Sequence, residues 1–461
     1  MHFLSTRGET RPHSFSDILL AGLAADGGLY MPEFWPRIAP DEIASFARDS
    51  YADVAYRVMA RFTGAAFAPD DLKTDIVAAY SAFDSPDVVP LVEIGPNFYI
   101  LELFHGPTLA FKDIAMRLLG QLFARALSAR QARATVLAAT SGDTGSAAIA
   151  ALGGLRNVDL FVLHPHGRVS EVQRRQMTTA PFDNVYNIAL DGSFDDAQAI
   201  VKSLFAGRNF AGAAHLTAVN SINFVRIAAQ SVYYFWAAAK LGKPPVFVVP
   251  TGNFGDVFAG EAAMRMGLGI ERLIVATNAN DIMARALSDG VYASGAVRPT
   301  LSPSMDIQIA SNFERALFEA SGRDSIWLGS AMDEFARTRR LVLPAHIQTA
   351  LRTRYAAASV DDDETLATME RFYRETGRLI DPHTAVGLAA AVAGATADIP
   401  TVVLSTAHAA KFPDAVARAT GIAAPLPGRL KDLYDRTERM SVLPNDAAAV
   451  RSYIEARMSR S

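Results

Sequence analysis

Cysteine is absent from the 461 residues. That absence removes disulfides, thiolate catalysis, iron–sulfur clusters and cysteine-type zinc sites together. No run reaches the ~18–20 apolar residues of a spanning helix. The best stretch, 385–397, reads as a buried helix. The opening MHFLSTRGETRPHSF has no apolar signal core, so a cytoplasmic protein with no membrane partner is the expectation. Neither sign of charge dominates, with 44 basic residues against 48 acidic ones. That balance gives no electrostatic case for nucleic acid. Dinucleotide G-x-G-x-x-G and Walker A fingerprints are missing. His164 and His166 merely flank Pro165, and no ligand cluster argues for a metal. Lysine is scarce: Lys73, Lys112, Lys202, Lys240, Lys243, Lys411 and Lys431 are all of them. A lysine among apolar neighbours therefore stands out.

What is present is a globular chain, half of it hydrophobic, long enough for two to four domains. Residues 1–90 read as mostly helical, with a periodic run at 15–23, a Gly27-Gly28 turn, and helices over about 40–62 and 69–82. From 97 onward, short β-rich runs alternate with small-residue loops and helices. Strands are expected at 98–103, 135–140, 158–163, 246–249, 273–277 and 401–404. Near-continuous apolar strands alternating with helices predict an α/β fold of parallel sheets covered on both faces. Residues 313–375, mainly helical and charged, read as an insertion or covering layer. The expected division is a helical N-terminal domain over 1–95, a small αβ domain over 96–225, and a large αβ domain over 226–461.

Ligands in such folds bind where strand ends meet helix N-termini. Four junctions carry unusual loops. In His105-Gly106-Pro107-Thr108-Leu109-Ala110-Phe111-Lys112-Asp113, Lys112 lies beside the apolar series Ile114, Ala115, Leu118 and Leu119. Burial lowers a lysine pKa, and a neutral amine can form a Schiff base or act as a base. A snorkelling lysine, or one paired with Asp113, is the plainer reading. Ser141-Gly142-Asp143-Thr144 opens a helix and suits a substrate carboxylate, or is an ordinary cap. Thr251-Gly252-Asn253-Phe254-Gly255-Asp256 suits a phosphate cup of backbone N–H groups, or is a turn whose glycines serve only the backbone. Ser405-Thr406-Ala407-His408-Ala409-Ala410-Lys411 closes the last core strand, with a hydroxyl able to meet a heteroaromatic nitrogen. Two further polar segments are Asn220-Ser221-Ile222-Asn223-Phe224-Val225-Arg226, with an arginine fork suited to phosphate, and Asp381-Pro382-His383-Thr384, for which an N-cap suffices.

Together these segments resemble the threonine synthase family of pyridoxal-phosphate (PLP) enzymes, of the tryptophan-synthase-β-like fold, fold type II. The resemblance also covers Ser5-Thr6-Arg7-Gly8, the run from Gly22 to Pro32, the run from Ser304 to Arg315, and the run from Asp381 to Gly387. It runs nearly end to end and in order. Ala409 departs from it, standing where the family is expected to carry Pro. The resemblance implies a lyase that turns O-phospho-L-homoserine and water into L-threonine and phosphate by γ-elimination and β-addition, the last step of threonine biosynthesis. It implies Lys112 as the Schiff-base lysine and catalytic base. Thr251, Gly252, Asn253, Phe254, Gly255 and Asp256 become the cup for the cofactor phosphate, and Thr406 the partner of the pyridine nitrogen. Ser141, Gly142, Asp143 and Thr144 become the substrate-carboxylate clamp. Ser221, Asn223, Arg226 and Lys411 are assigned to the substrate phosphate. Related enzymes commonly carry Asn at the position of Asp143, and the sequence does not explain its charge. A monomer or homodimer is expected.

Two other readings share much of this chemistry. One is another fold-type-II enzyme, such as a threonine or serine dehydratase. The other is a threonine-synthase-like protein that binds ligand without turnover. A phosphate- or nucleotide-binding α/β module lacks both standard fingerprints.

Overall fold

The computed structural model describes residues 1–207, 210, 216–218, 221–392 and 398–458. Two sheets organise it. The larger runs, in spatial order, Tyr355–Ser359, Arg272–Thr277, Val246–Pro250, Thr401–Ser405, Phe98–Glu102 and Leu91–Gly95. Its last pair is antiparallel and the others are parallel. The smaller runs Ser441–Pro444, Val185–Asp191, Val158–Pro165, Ala134–Ala139 and Leu216–Ala218, all parallel. Every residue of Val158–Pro165 and of Val246–Pro250 is buried. That is why Val246–Pro250 reads as an unbroken apolar run and Val158–Pro165 as a mostly apolar one, interrupted by the buried Asp159 and His164.

Sheet order does not follow chain order. Phe98–Glu102 precedes the small sheet in sequence yet pairs with Thr401–Ser405 in the large one. Ser441–Pro444 follows the large sheet and returns to Val185–Asp191 in the small one. The parallel pairing of Phe98–Glu102 with Thr401–Ser405 brings the loops after both strands to one edge.

The helix Phe224–Leu241 is buried from Phe224 through Ala239. A helix apolar on all sides belongs in a core, and this one packs against Tyr51–Thr63, Lys112–Ala129 and Gly255–Arg265. The helices Lys112–Ala129 and Asp143–Leu152 also press together. A Cβ at Gly120 would collide with the Ala151 carbonyl, so glycine there permits the approach that brings the two helix starts near each other.

Two expected elements differ. The helix expected over 40–62 is Pro40–Ser45, a 3₁₀ turn Phe46–Arg48, and Tyr51–Thr63. The break is at Ser50, whose hydroxyl accepts from Asp53 N–H and restarts the helix. Within 313–375 the helices Phe313–Ala320, Ser325–Thr338, Ala345–Arg352 and Asp362–Thr376 form as expected. That segment is more than a cover, because its Tyr355–Ser359 is an edge strand of the large sheet, in register from Leu273↔Tyr355 to Thr277↔Ser359. Its Ala-rich sequence has little strand propensity, and neighbours decide the pairing. The apolar stretch 385–397 contributes to the helix Pro382–Val392, while 393–397 lie outside the described residues. No helix among the described residues is long and apolar enough to cross a membrane.

Candidate active site

Lys112 is the first residue of the helix Lys112–Ala129. The turn before it is closed by Asp113, whose carboxylate accepts from the Thr108 N–H and the Thr108 hydroxyl, each at 2.7 Å. A Cβ on Gly106 would overlap the Asp113 side chain, so the turn needs glycine. Burial raises the Asp113 carboxyl to about 6, against the Thr108 donors. Lys112 pairs instead with Asp143, at 3.3 Å, and its side chain is 13% exposed. Burial lowers the Lys112 pKa, and Asp143 opposes that shift without cancelling it.

Asp143 opens the helix Asp143–Leu152, behind Gly142 at φ +146°. The Thr140 hydroxyl oxygen accepts from the N–H groups of Gly142 and Gly145, both at 2.9 Å, and fixes the turn. Asp143 Oδ1 receives Lys411 at 2.7 Å and Gln173 Nε2 at 2.8 Å. Its Oδ2 receives Lys112 at 3.3 Å and Ser304 Oγ at 3.1 Å. Burial pushes the Asp143 carboxyl up, but Lys411 and Lys112 outweigh it and hold the pKa well below the usual carboxylate range. The charge that the sequence left unexplained thus sits between two ammonium groups. Ser141 is exposed and Thr144 half-buried beside it.

The glycine loop follows Val246–Pro250. Thr251 N–H donates to Ala276 O at 2.7 Å, and its hydroxyl donates to Val249 O at 2.6 Å. A Cβ on Gly252 would lie 2.8 Å from Ser304 O, so the backbone there is packed against the 304 loop. Asn253 Oδ1 accepts from Ser311 N–H at 3.2 Å, and Asn253 O accepts from Asn312 N–H and Asn312 Nδ2, both at 3.1 Å. Phe254 takes φ +62°, turning the chain so that Gly255 starts the helix Gly255–Arg265. First-turn N–H groups of a helix have no partner within it and face an anion readily. Asp256 Oδ1 accepts from Tyr233 at 2.5 Å and Tyr234 at 3.0 Å. Burial lifts this carboxyl to about 6.

Ser221 lies against the glycine loop, accepting from Asn253 Nδ2 at 2.7 Å. Asn220 lies outside the described residues. Asn223 caps the helix Phe224–Leu241, accepting from Val225 N–H at 3.0 Å and donating to Leu19 O at 3.0 Å. Arg226 is 3% exposed. Its Nε and Nη1 have no hydrogen-bond partner, and no carboxylate pairs with it among the described residues. Burial lowers its pKa to about 10, and its charge reaches Lys112. A buried guanidinium with free donors is expensive unless an anion meets it.

At the fourth junction Thr406 O accepts from Phe111 N–H at 2.8 Å, Ala110 bridges Ala407, and His408 N–H donates to Leu109 O at 3.0 Å. The loops of Lys112 and Thr406 therefore run side by side. The buried Thr406 has no hydroxyl partner among the described residues. His408 accepts from Ala410 N–H and caps its own 3₁₀ turn, Ala409–Lys411. Lys411 is fully buried on Asp143. Direct contacts thus link the four loops to one another, through Lys112 and Lys411 on Asp143, Ser304 between Asp143 and Gly252, and Phe111 on Thr406. Ser221 joins them through Asn253, and Asn223 and Lys411 are engaged with the chain itself.

The sequence did not single out Ser304, Gln173 or Gln176. Ser304 lies in a segment covered by the resemblance, and His383 Nε2 accepts from its N–H at 3.2 Å while Asp381 holds His383 Nδ1 at 2.6 Å. Gln173 and Gln176 belong to the helix Glu171–Thr178, a segment in which the sequence marks no motif.

Three family models match in succession: Threonine synthase N terminus over residues 2–80, Pyridoxal-phosphate dependent enzyme over 88–406, and Threonine synthase, C-terminal over 384–454. The chain belongs to the threonine synthase family. It is 48% identical to a threonine synthase of Pseudomonas aeruginosa, covering 100% of this chain and 99% of that protein. The structure of PLP-bound threonine synthase from Brucella melitensis superposes with a TM-score of 0.97 at 48% identity, over 99% of both chains. The yeast threonine synthase structure gives 0.94 at 37% identity, over 100% of this chain and 99% of that one. As in this family, the arrangement is fold type II, an α/β core of mostly parallel sheets with a helical N-terminal region.

The residues present fit pyridoxal phosphate. An amine of lowered pKa suits its aldehyde. The Gly252 backbone, with no room for a side chain, and the helix start at Gly255 suit its phosphate. The unpartnered Thr406 hydroxyl suits its ring nitrogen.

Proposed function

We propose that this chain converts O-phospho-L-homoserine and water to L-threonine and inorganic phosphate, with pyridoxal phosphate as cofactor. The observation that carries this reading is Arg226, a buried guanidinium with unused donors whose charge reaches an amine of lowered pKa, Lys112. A site with one permanent phosphate and one on the substrate needs a second cation of this kind.

Lys112 would hold the cofactor covalently through its side-chain nitrogen. When bound, the cofactor supplies an electron sink that acidifies the C–H bonds beside the substrate amine. Lys112, tethered by its own side chain next to Cα, would move the proton there as a base and then as an acid. Thr251, Gly252, Asn253, Phe254, Gly255 and Asp256 would form the cup for the cofactor phosphate, and Thr406 would offer the pyridine nitrogen a hydroxyl that does not protonate it. The helix start at Ser141, Gly142, Asp143 and Thr144 receives the substrate carboxylate. Arg226, with Ser221, receives the substrate phosphate and holds it while the γ-bond breaks. Asn223 supports Arg226 by capping its helix. Water adds at Cβ after phosphate departs, so the site must stay closed to water until then. Residues of roughly 100–225 close over the substrate, between the 1–95 region and the remainder, 226–461. A cytoplasmic location and a monomer or homodimer complete the reading.

The assay is release of phosphate from O-phosphohomoserine, coupled to detection of threonine. Ammonia and an oxo acid in place of phosphate would mark a dehydratase. Binding without either product would mark a non-catalytic relative.

A further inference from the structure

Lys411 ends the 3₁₀ turn Ala409–Lys411 that follows the large-sheet strand Thr401–Ser405, and it is fully buried. Its ammonium has three donors. They meet Asp143 Oδ1 at 2.7 Å, Thr108 O at 2.7 Å and Gln176 Oε1 at 3.3 Å. No donor is left for a phosphate unless one of these bonds breaks. The three partners belong to three segments: the turn before Lys112, the helix start at Asp143, and the helix Glu171–Thr178. Asp143 is equally saturated, with Lys411 and Gln173 on one oxygen and Lys112 and Ser304 on the other.

We propose that Lys411 is a positioning residue: it holds Asp143 as a carboxylate beneath Lys112, and the Lys411–Asp143 pair together orients the amine and the carboxylate-binding turn. This rests on the reading of Lys112 as the cofactor lysine. A lone Asp143 under Lys112 would repel a substrate carboxylate arriving at Ser141–Thr144 and would hold the amine protonated. Lys411 offsets both effects with one charge. The charged and titratable groups that also face this pair are Arg226 toward Lys112 and, toward Lys411, Asp113 and His408. All of them remain in place in the variants below.

The test uses the holoenzyme with Lys411→Met, Lys411→Arg, Asp143→Asn and the double Lys411→Met/Asp143→Asn. The readouts are the pH midpoint of the cofactor absorbance band and the separate kcat and KM values. Lys411→Met should move the midpoint up by about one pH unit and Asp143→Asn should move it down, because opposite charges at this range act with opposite sign. The double variant should return close to the parent midpoint and recover at least tenfold in kcat over Lys411→Met. Lys411→Arg should retain most of the parent behaviour. Single-variant shifts of the same sign, or a double variant no better than Lys411→Met, overturn the proposal. A parent protein with no cofactor band would instead overturn the reading of Lys112.

Discussion

Asn253 is tied to Ser221 side chain to side chain, its Nδ2 donating to Ser221 Oγ at 2.7 Å. The bond joins the glycine loop to the segment that leads into the helix of Arg226. The proposed seats of the two phosphates therefore share one brace. Asn253→Ala removes this bond and the acceptor for Ser311 N–H. Its expected effect is a roughly tenfold loss in both cofactor retention and apparent substrate affinity, as for about 1–1.5 kcal/mol of hydrogen bonding. Equilibrium dialysis of the cofactor and steady-state kinetics would check the two effects separately.

Arg226→Ala should weaken substrate binding far more than cofactor binding. Charge-assisted contacts to phosphate contribute about 1.5–3 kcal/mol each, so KM for O-phosphohomoserine should rise about 10–100-fold while the cofactor stays bound. Arg226→Lys should recover only part of this, since an ammonium lacks the planar fork. An unchanged KM in Arg226→Ala would remove Arg226 from the substrate site.

The Asp256 carboxyl gives a pH signature. Burial raises its pKa from 3.8 to about 6 in the folded state. The folded protein therefore keeps this proton over a range in which the unfolded chain has lost it, and stability falls as pH rises through that range. Asp256→Asn does not titrate. The stability of Asp256→Asn relative to the parent should increase from pH 4 to pH 6.5, by on the order of 2–3 kcal/mol, and then level off. Urea unfolding at several pH values measures it. A relative stability that falls over the same range would mean that the group is not held protonated.

One carboxylate ties the turn at Thr6 and Arg7 to the helix Phe313–Ala320. Glu314 accepts from Thr6 Oγ1 at 2.6 Å and from Arg7 Nε and Nη2 at 3.1 and 2.8 Å. Glu314→Gln should destabilise the protein by about 1–2 kcal/mol, the lower part of the charged range because Arg7 is partly exposed. Denaturant titration checks the size. Faster proteolysis within 1–30 than elsewhere would locate the effect.

The sequence made the strand–loop–helix order readable because buried parallel strands are apolar along most of their length. It also exposed the four loops, because small and polar residues at strand ends are conspicuous against such runs. It did not show which strands pair. Tyr355–Ser359 has no strand-like composition, and the return of Ser441–Pro444 to the small sheet depends on contacts far apart in the chain. At the site, the apolar setting of Lys112 left a snorkelling lysine the plainer reading, and only the resemblance of the whole set of loops singled it out. The engagement of Lys411 was not legible, since its partners Thr108, Asp143 and Gln176 lie hundreds of residues away and two of them present a backbone oxygen and an amide. Asp113, adjacent in sequence, was the obvious partner for Lys112, but it is committed to Thr108.

The most direct measurement is sodium borohydride reduction of the holoenzyme, followed by proteolysis and mass spectrometry of the labelled peptide. The account requires the reduced pyridoxyl group on the peptide bearing Lys112. A label on Lys411 or any other lysine, or no label in a protein that still turns over substrate, would contradict it.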